Sequence, residues 1–405
     1  MRDSDRSLQA MTAFNNQTGS FNRHSRPRID LAKWILRKRR VVAEKSNSRS
    51  LSVVDLFAGC GGLTLGAEEA ARRHRIGFEI KLAVDNDPNC VSVYASNFSV
   101  APNRLVCGSM TDLVPGNLGS RLGKREQELR HHVGHVDVVL AGPPCQGHSD
   151  LNNHSRRNDP KNLLYLRAVR FIEVTLPEVA IIENVPTAQY DKTKVVQRAA
   201  AHLRKLKYFV EFAVLSADKF GLPQGRKRLV LVASMRKDPK SLFIEYRQSL
   251  RLHSLRELIW DLKDAPNSAV EADIFSTPSK MTKENQRRVE YLFRHKIYDL
   301  PNARRPPCHR DKVHSYKSMY GRLQWGKLAQ TITGGFGSMG QGRYVHPSRM
   351  RVLTPHEAAR IQGFPEYFDF RAITKRTILH QMIGNAVPPV MAFKPISDMI
   401  EDGFF

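Results

Sequence analysis

Apolar residues along this chain gather into short unbroken runs, separated by segments with helical spacing. Ser52–Phe57, Ile80–Val84, Arg104–Cys107, Val136–Leu140 and Val179–Ile182 read as strands buried on both faces. Between them, Leu63 to about His74, Cys90–Asn97 and Leu163–Thr175 place apolar side chains on one face of a helix. This alternation predicts an α/β fold with a doubly wound, mostly parallel sheet covered by helices on both faces. In such a sheet, ligands bind beyond the carboxyl ends of the strands. A hairpin follows, Phe209–Leu215 and Leu229–Ala233, joined through a turn at Gly221–Gly225.

After Ser234 the rhythm stops. Residues 236 to about 345 hold short mixed segments and several prolines, and are expected to form a smaller, irregular second domain. From Leu353 the pattern is helical again, with Thr354-Pro355-His356-Glu357 as a capping box. A loop, Gly384–Pro389, precedes a terminal helix. Leu31, Trp34, Ile35 and Val42 suggest one short helix within an otherwise polar amino-terminal stretch, whose simplest reading is a solvated tail or packing arm. The expected organisation is an arm (1–50), a main body (51–235), a second domain (236–345) and a segment returning to the body (346–405).

Composition adds a partner. The chain has 405 residues, room for two or three domains, and its 41% hydrophobic and 25% charged content is that of a globular protein. Lys and Arg number 64 against 39 Asp and Glu, a net charge of +25, which points to a polyanion and most simply to nucleic acid. The surplus is uneven: residues 236–350 carry 22 basic against 11 acidic residues, and residues 1–50 carry 12 against 4. No apolar run approaches the roughly 20 residues of a membrane span, and the amino terminus lacks a signal peptide's apolar core. A cytoplasmic protein is expected. The five cysteines are odd in number and show no C-x-x-C pair, so neither a disulfide framework nor a zinc ribbon is indicated, and no metal is expected.

The unusual residues cluster where strands end. Asp55-Leu56-Phe57-Ala58-Gly59-Cys60-Gly61-Gly62 is a glycine-rich turn of the kind that lets a ligand approach the backbone, or else a plain tight turn. Asp85, ending the second strand, can bond both hydroxyls of a ribose or cap the next helix. Two prolines in Pro143-Pro144-Cys145-Gln146 impose a rigid loop with Cys145 at its tip, either a reactive thiol or a small buried one. Glu183-Asn184-Val185-Pro186 sets a carboxyl at the neighbouring strand end, as a catalytic acid or an ion-pair partner. Gln224-Gly225-Arg226-Lys227-Arg228 puts cations into the hairpin turn, where arginine is able to hold a phosphate or orient a carboxylate, or simply face solvent. No G-x-x-x-x-G-K-[ST] loop is present, which disfavours a nucleoside triphosphatase.

Taken in order, DLFAGCGG, Asp85, GPPCQ, ENV, QGRKR, a variable basic stretch, LTPHEAARIQGFP and QMIGNAVPP resemble the DNA (cytosine-5)-methyltransferase family over about residues 51–235 and 331–395. The resemblance implies an S-adenosylmethionine-binding domain and a target-recognition domain facing it across a DNA cleft, the latter at about 236–345. It implies that Cys145 attacks C6 of a flipped-out cytosine, that Glu183 assists at N3 and the exocyclic amine, and that Arg228 and Arg226 brace the cysteine and base. For the cofactor it implies stacking by Phe57, close approach at Gly59 and Gly61, ribose binding by Asp85, and a lining from Ser109, Met110, Pro144, Leu164, Asn385 and Ala386. Double-stranded DNA with a short target sequence is the implied substrate, the protein acting as a monomer beside a cognate restriction endonuclease. Four positions depart from the family pattern: Ser109 stands for an adenine-bonding Asp, Asn86 for a bulky residue, His148 for Phe and His356 for Arg. The RNA-methylating relatives carry a Cys-Phe-Thr signature that this chain lacks. A retired, purely DNA-binding member would have lost Cys145, Glu183 or the glycines, and all are present.

Overall fold

The computed structural model describes residues 30–41, 49–144, 163–246, 251–263, 273–311 and 319–405. Cys145, Gln146 and His148 lie outside the described residues. Strands β1 (Ser50–Leu56), β2 (Gly77–Asp85), β3 (Leu105–Cys107), β4 (Val138–Ala141), β5 (Val179–Asn184), β6 (Phe209–Ser216) and β7 (Lys227–Ser234) form one seven-stranded sheet in the order 3-2-1-4-5-7-6. β1 to β5 run parallel, and β7 lies antiparallel to both β5 and β6. The central strands are buried on both faces, as their unbroken apolar runs require. Strand order reverses between β1 and β4, which opens a crevice at the carboxyl ends of these two.

The helices are α1 (Leu31–Ile35), α2 (Gly62–Arg73), α3 (Pro88–Asn97), α4 (Met110–Leu113), α5 (Lys124–Val133), α6 (Leu164–Thr175) and α7 (Val195–Lys205). They continue with α8 (Lys240–Glu245), α9 (Leu255–Ile259), α10 (Lys283–Arg294), α11 (Pro307–Arg310), α12 (Pro355–Ile361), α13 (Arg376–Asn385) and α14 (Val390–Asp402). On one sheet face Val54, Leu56, Val139, Ala141, Ala180 and Ile182 share a core with side chains of α5, α6 and α7. On the other, α2 packs on β1, β2 and α14. A second, smaller core gathers Val289 and Leu292 of α10 with Leu300, Tyr320, Met339, Val345 and Val352.

Three boundaries differ from expectation, each for a local reason. β1 stops at Leu56 because Phe57 turns into the left-handed region at φ 55°. β5 runs on through Glu183 and Asn184, which pair with Val230 and Leu229 of β7 rather than lying beyond the strand. The amino-terminal helix ends at Ile35, since the carbonyls of Ile35 and Arg37 accept from the amides of Glu366 and Tyr367 instead of continuing a helical ladder.

The capping box forms: Thr354 Oγ1 accepts from the Glu357 amide at 3.1 Å, and Glu357 Oε2 from the Thr354 amide at 2.9 Å. Glu357 is buried and also bonds Arg351 through both carboxylate oxygens at 2.8 Å, with Arg349 at 3.3 Å. Against the opposing effect of burial, Arg351 first, then His346 and the Thr354 amide, hold its carboxyl below the usual range. Glu357→Ala should therefore cost about 3–5 kcal/mol of stability, the scale of breaking a buried ion pair. A loss in urea unfolding, midpoint shift multiplied by the m-value, of less than a third of that would place the anchor elsewhere.

Candidate active site

Strand register brings the chemistry-bearing ends together. Leu56 of β1 pairs with Ala141 of β4, Ala141 with Ile182 of β5, and Leu56 with Val84 of β2. The residues that follow therefore emerge on one rim: Phe57, Asp85, Gly142 and Glu183. A Cβ built on Gly142 would lie 3.8 Å from the Phe57 carbonyl and 3.9 Å from Glu183 Oε2. The side chain of Asn184 donates to the Pro143 carbonyl at 3.3 Å, tying the end of β5 to the diproline turn. Asn184 stood in the motif without a role of its own in the sequence reading.

Glu183 is 7% exposed and forms an ion pair with Arg228, Nε to Oε1, at 2.5 Å. Burial pushes its carboxyl up, while the charges of Arg228 and then Arg226 pull it back. β-Pairing explains the geometry, since Glu183 and Arg228 sit near the same end of the antiparallel β5–β7 ladder. Arg226 is placed differently. It is 1% exposed and donates to the carbonyls of Ile332 at 2.8 Å, Gly384 at 3.1 Å and Asn385 at 3.4 Å. It thus holds the loop that carries Asn385 and Ala386, and its charge still acts on Glu183. Gln224, fully buried, extends this clamp by accepting from the Ile332 amide and donating to the Ile361 carbonyl.

The glycine-rich turn joins β1 to α2. Gly59 (φ 55°) has open space where a Cβ would project, and its amide donates to Asp85 Oδ2 at 2.8 Å. Asp85 Oδ1 accepts from the Asp87 amide at 2.9 Å. The Asn86 amide adds a third bond, which leaves about one of a carboxylate's roughly four acceptor positions for a ligand hydroxyl. Burial raises the Asp85 carboxyl, opposed by these amides. Gly61 (φ 90°) is required sterically, because a Cβ there would fall 2.2 Å from the Phe98 ring. Phe57 is half-buried beside this space. An open glycine turn, a carboxylate and an aromatic ring thus stand together at this rim.

The remaining expected cofactor residues have distinct surroundings. Ser109 caps α4, its Oγ accepting from the Thr111 amide at 3.2 Å and lying 2.6 Å from Thr111 Oγ1. Thr111 is a neighbour that the sequence reading did not single out. The Met110 side chain packs in the main core, Leu164 and Pro144 are half-buried, and Asn385 is exposed at the end of α13. Among the departures, Asn86 is exposed, and His356 bonds Glu366 at 2.6 Å while stacking on Phe275 at 4.7 Å. Behind the cradle, Asp55 is buried, accepts from Thr64 Oγ1 at 2.6 Å, and is pushed up to about 7, chiefly by burial. No group of three or more His, Cys, Asp or Glu suited to a metal occurs among the described residues. No helix there is long and apolar enough to cross a membrane.

Sheet order with an antiparallel β7, and a ligand cradle at the reversal point, define a methyltransferase of the S-adenosylmethionine-dependent class. Schizosaccharomyces pombe Dnmt2 methyltransferase shares the fold, with a TM-score of 0.60 at 17% identity, covering 88% of this chain and 100% of that one. Residues 51–401 match the model of the C-5 cytosine-specific DNA methylase family, and the chain belongs to it. It is 43% identical to the Type II methyltransferase M1.BsuMI of Bacillus subtilis over 360 residues, 89% of this chain and 82% of that protein. Identity to the Type II methylase M.HgiDII of Herpetosiphon aurantiacus is 30%, over 83% of this chain and 91% of that protein. The enzyme is a DNA (cytosine-5)-methyltransferase, and its family uses S-adenosylmethionine.

Proposed function

We propose that this enzyme methylates C5 of one cytosine within a short sequence of double-stranded DNA, after turning that base out of the duplex. The observation that carries the reading is the buried Glu183–Arg228 pair beside the diproline turn, because Cys145 follows Pro144 directly in the chain. Cytosine C5 is a poor nucleophile and stays stacked unless the enzyme extrudes the base, at a cost of roughly a few kcal/mol. The Cys145 sulfur adds to C6, and the C5–C6 electron pair shifts toward C5. Glu183 in its acid form gives a proton to N3, so that negative charge does not build up on the ring. Arg228 then stays beside the resulting carboxylate. Once C5 carries the methyl group, loss of the C5 proton to base, departure of the Cys145 sulfur as thiolate and return of the N3 proton to the Glu183 carboxylate restore the neutral aromatic ring and the acid form of Glu183.

Bound across Phe57, Gly59, Gly61 and Asp85, S-adenosylmethionine supplies an electrophilic methyl group on sulfur. Ser109, Met110, Pro144, Leu164, Asn385 and Ala386 complete this site in the proposal. Arg226 acts as a positioning residue through the 384–386 backbone. Residues 236–345, with half of their 22 basic charges in excess of acids in the span to 350, supply the phosphate-contacting and target-reading surface. The protein is proposed to act as a cytoplasmic monomer, beside a cognate endonuclease as expected of a Type II system. The test is methyl transfer from labelled S-adenosylmethionine to duplex DNA, with bisulfite sequencing to locate the product. Label incorporated into RNA in preference to duplex DNA, or at random cytosines, would overturn it.

A further inference from the structure

Residues 31–41 precede the family match, which begins at residue 51, yet they are built into the catalytic body. Leu31, Trp34 and Ile35 are buried, and the Trp34 ring lies 6.0 Å from Phe393 of α14. The backbone is fixed as well, with Ile35 and Arg37 carbonyls accepting from Glu366 and Tyr367 amides at 2.9 and 3.2 Å. In the run Arg37-Lys38-Arg39-Arg40, the middle two side chains are exposed, and the outer two turn inward to α2. Arg37 Nη2 is 3.0 Å from Glu69 Oε1, and Arg40 Nη2 is 2.5 Å from Glu68 Oε2. Arg40 does a second thing: its guanidinium carbon lies over the Phe98 ring, 5.1 Å from the centroid. That ring is the one against which Gly61 of the cofactor turn is pressed. Tyr94 and Phe368 flank it at 4.5 and 6.2 Å.

We propose that residues 31–41 are a strap that positions the glycine-rich cofactor turn, with Arg40 as its working side chain. Beside Gly59 and Gly61, which take up positive φ freely, the turn holds Phe57 at φ 55°, a conformation that a residue with a side chain keeps only where surrounding groups over-determine it. Arg40 supplies two such constraints at once. It fixes Phe98 behind Gly61, and it pins Glu68 on the helix that the turn opens. It acts through these neighbours, so it is a positioning residue. Two cations at the amino-terminal end of the described chain thereby serve cofactor binding, while Lys38 and Arg39 face solvent.

The inference rests on the cofactor reading of the turn, and titration calorimetry on the full chain separates the two. S-Adenosylmethionine and S-adenosylhomocysteine are titrated into wild type, Arg40→Ala, Arg40→Lys, Phe98→Leu, Lys38→Ala and the Arg40→Ala/Phe98→Leu double variant. Arg40→Ala should weaken both ligands roughly 5- to 10-fold, the worth of a partly buried cation–π contact, with kcat at saturating cofactor within about twofold. Arg40→Lys should recover part of the loss, and Lys38→Ala should bind as wild type. With Phe98→Leu already present, losing Arg40 should add little. Unchanged affinity in Arg40→Ala overturns the strap, as does a lowered melting temperature with affinity intact. Should alanine prevent folding, Arg40→Lys and Phe98→Leu carry the same comparison. Wild type that binds neither ligand overturns the cofactor reading itself.

Discussion

Replacing Cys145 with alanine should lower methyl transfer by roughly 10³-fold or more, the scale of removing a covalent nucleophile, with affinity for duplex DNA retained. The other cysteines are poor candidates for the role. Cys60 is buried within the glycine-rich turn, and burial pushes its thiol up to about 12. The Cys90 thiol is likewise pushed up, by burial and then by the charge of Asp85. Cys107 ends β3 at the far side of Asp85, and Cys308 lies in α11 against His309 at 3.1 Å. Of the five, only Cys145 follows in sequence the diproline turn whose Pro143 carbonyl accepts from Asn184. A duplex carrying 5-fluorocytosine at the target gives an independent check. The step that releases Cys145 needs a proton lost from C5, and fluorine is not lost as a cation, so the adduct should persist. Wild type should form that adduct and Cys145→Ala should not. Activity within tenfold of wild type in the alanine variant would remove Cys145 from the mechanism.

The strands were legible because buried parallel strands need continuous apolar runs, and nothing else in the chain looks like VVDLF or VAII. Helices with few apolar positions were not. α5, KREQELRHHV, buries only Glu126, Leu129 and Val133, and is held by a buried Glu126–Arg170 pair at 2.6 Å. An ion pair between residues 44 apart leaves no periodic trace. The second region hid its order for the same reason, since α10 buries just Val289 and Leu292 in a small core. Motif residues at strand ends were visible as chemistry, but their division of labour was not. Arg226 and Arg228 are two residues apart on either side of the first residue of β7, and both read as cations near a carboxylate. Folding sends one to Glu183 and the other to three carbonyls, two of them more than 150 positions away. The amino-terminal stretch read as a solvated tail or a packing arm, and pattern alone did not show that within its basic cluster Arg37 and Arg40 face Glu69 and Glu68.

Glu183→Gln is the sharper test of how the site uses its protons. If the acid form of Glu183 supplies the proton at N3, the amide should reduce kcat by roughly 10²- to 10⁴-fold, the span of general acid catalysis. Its pH dependence has a definite sign. Burial raises the Glu183 carboxyl, so wild-type activity should fall as pH climbs through that raised value. Arg228→Met removes the nearer opposing charge, moving that alkaline limb to higher pH in whatever activity remains. Stability should fall with pH in the same direction as activity. Below the ordinary carboxyl value of 4.5, folded and unfolded forms are both protonated, and wild type should melt with Glu183→Gln. Above the raised value the folded protein carries a buried carboxylate that the unfolded chain ionises freely, and wild type should be the less stable of the two. A variant that is nearly inactive yet more heat-resistant at pH 8 would mark Glu183 as a group held for chemistry at the expense of packing. Equal melting at pH 8 together with a flat rate profile would instead make it the structural partner of Arg228 alone.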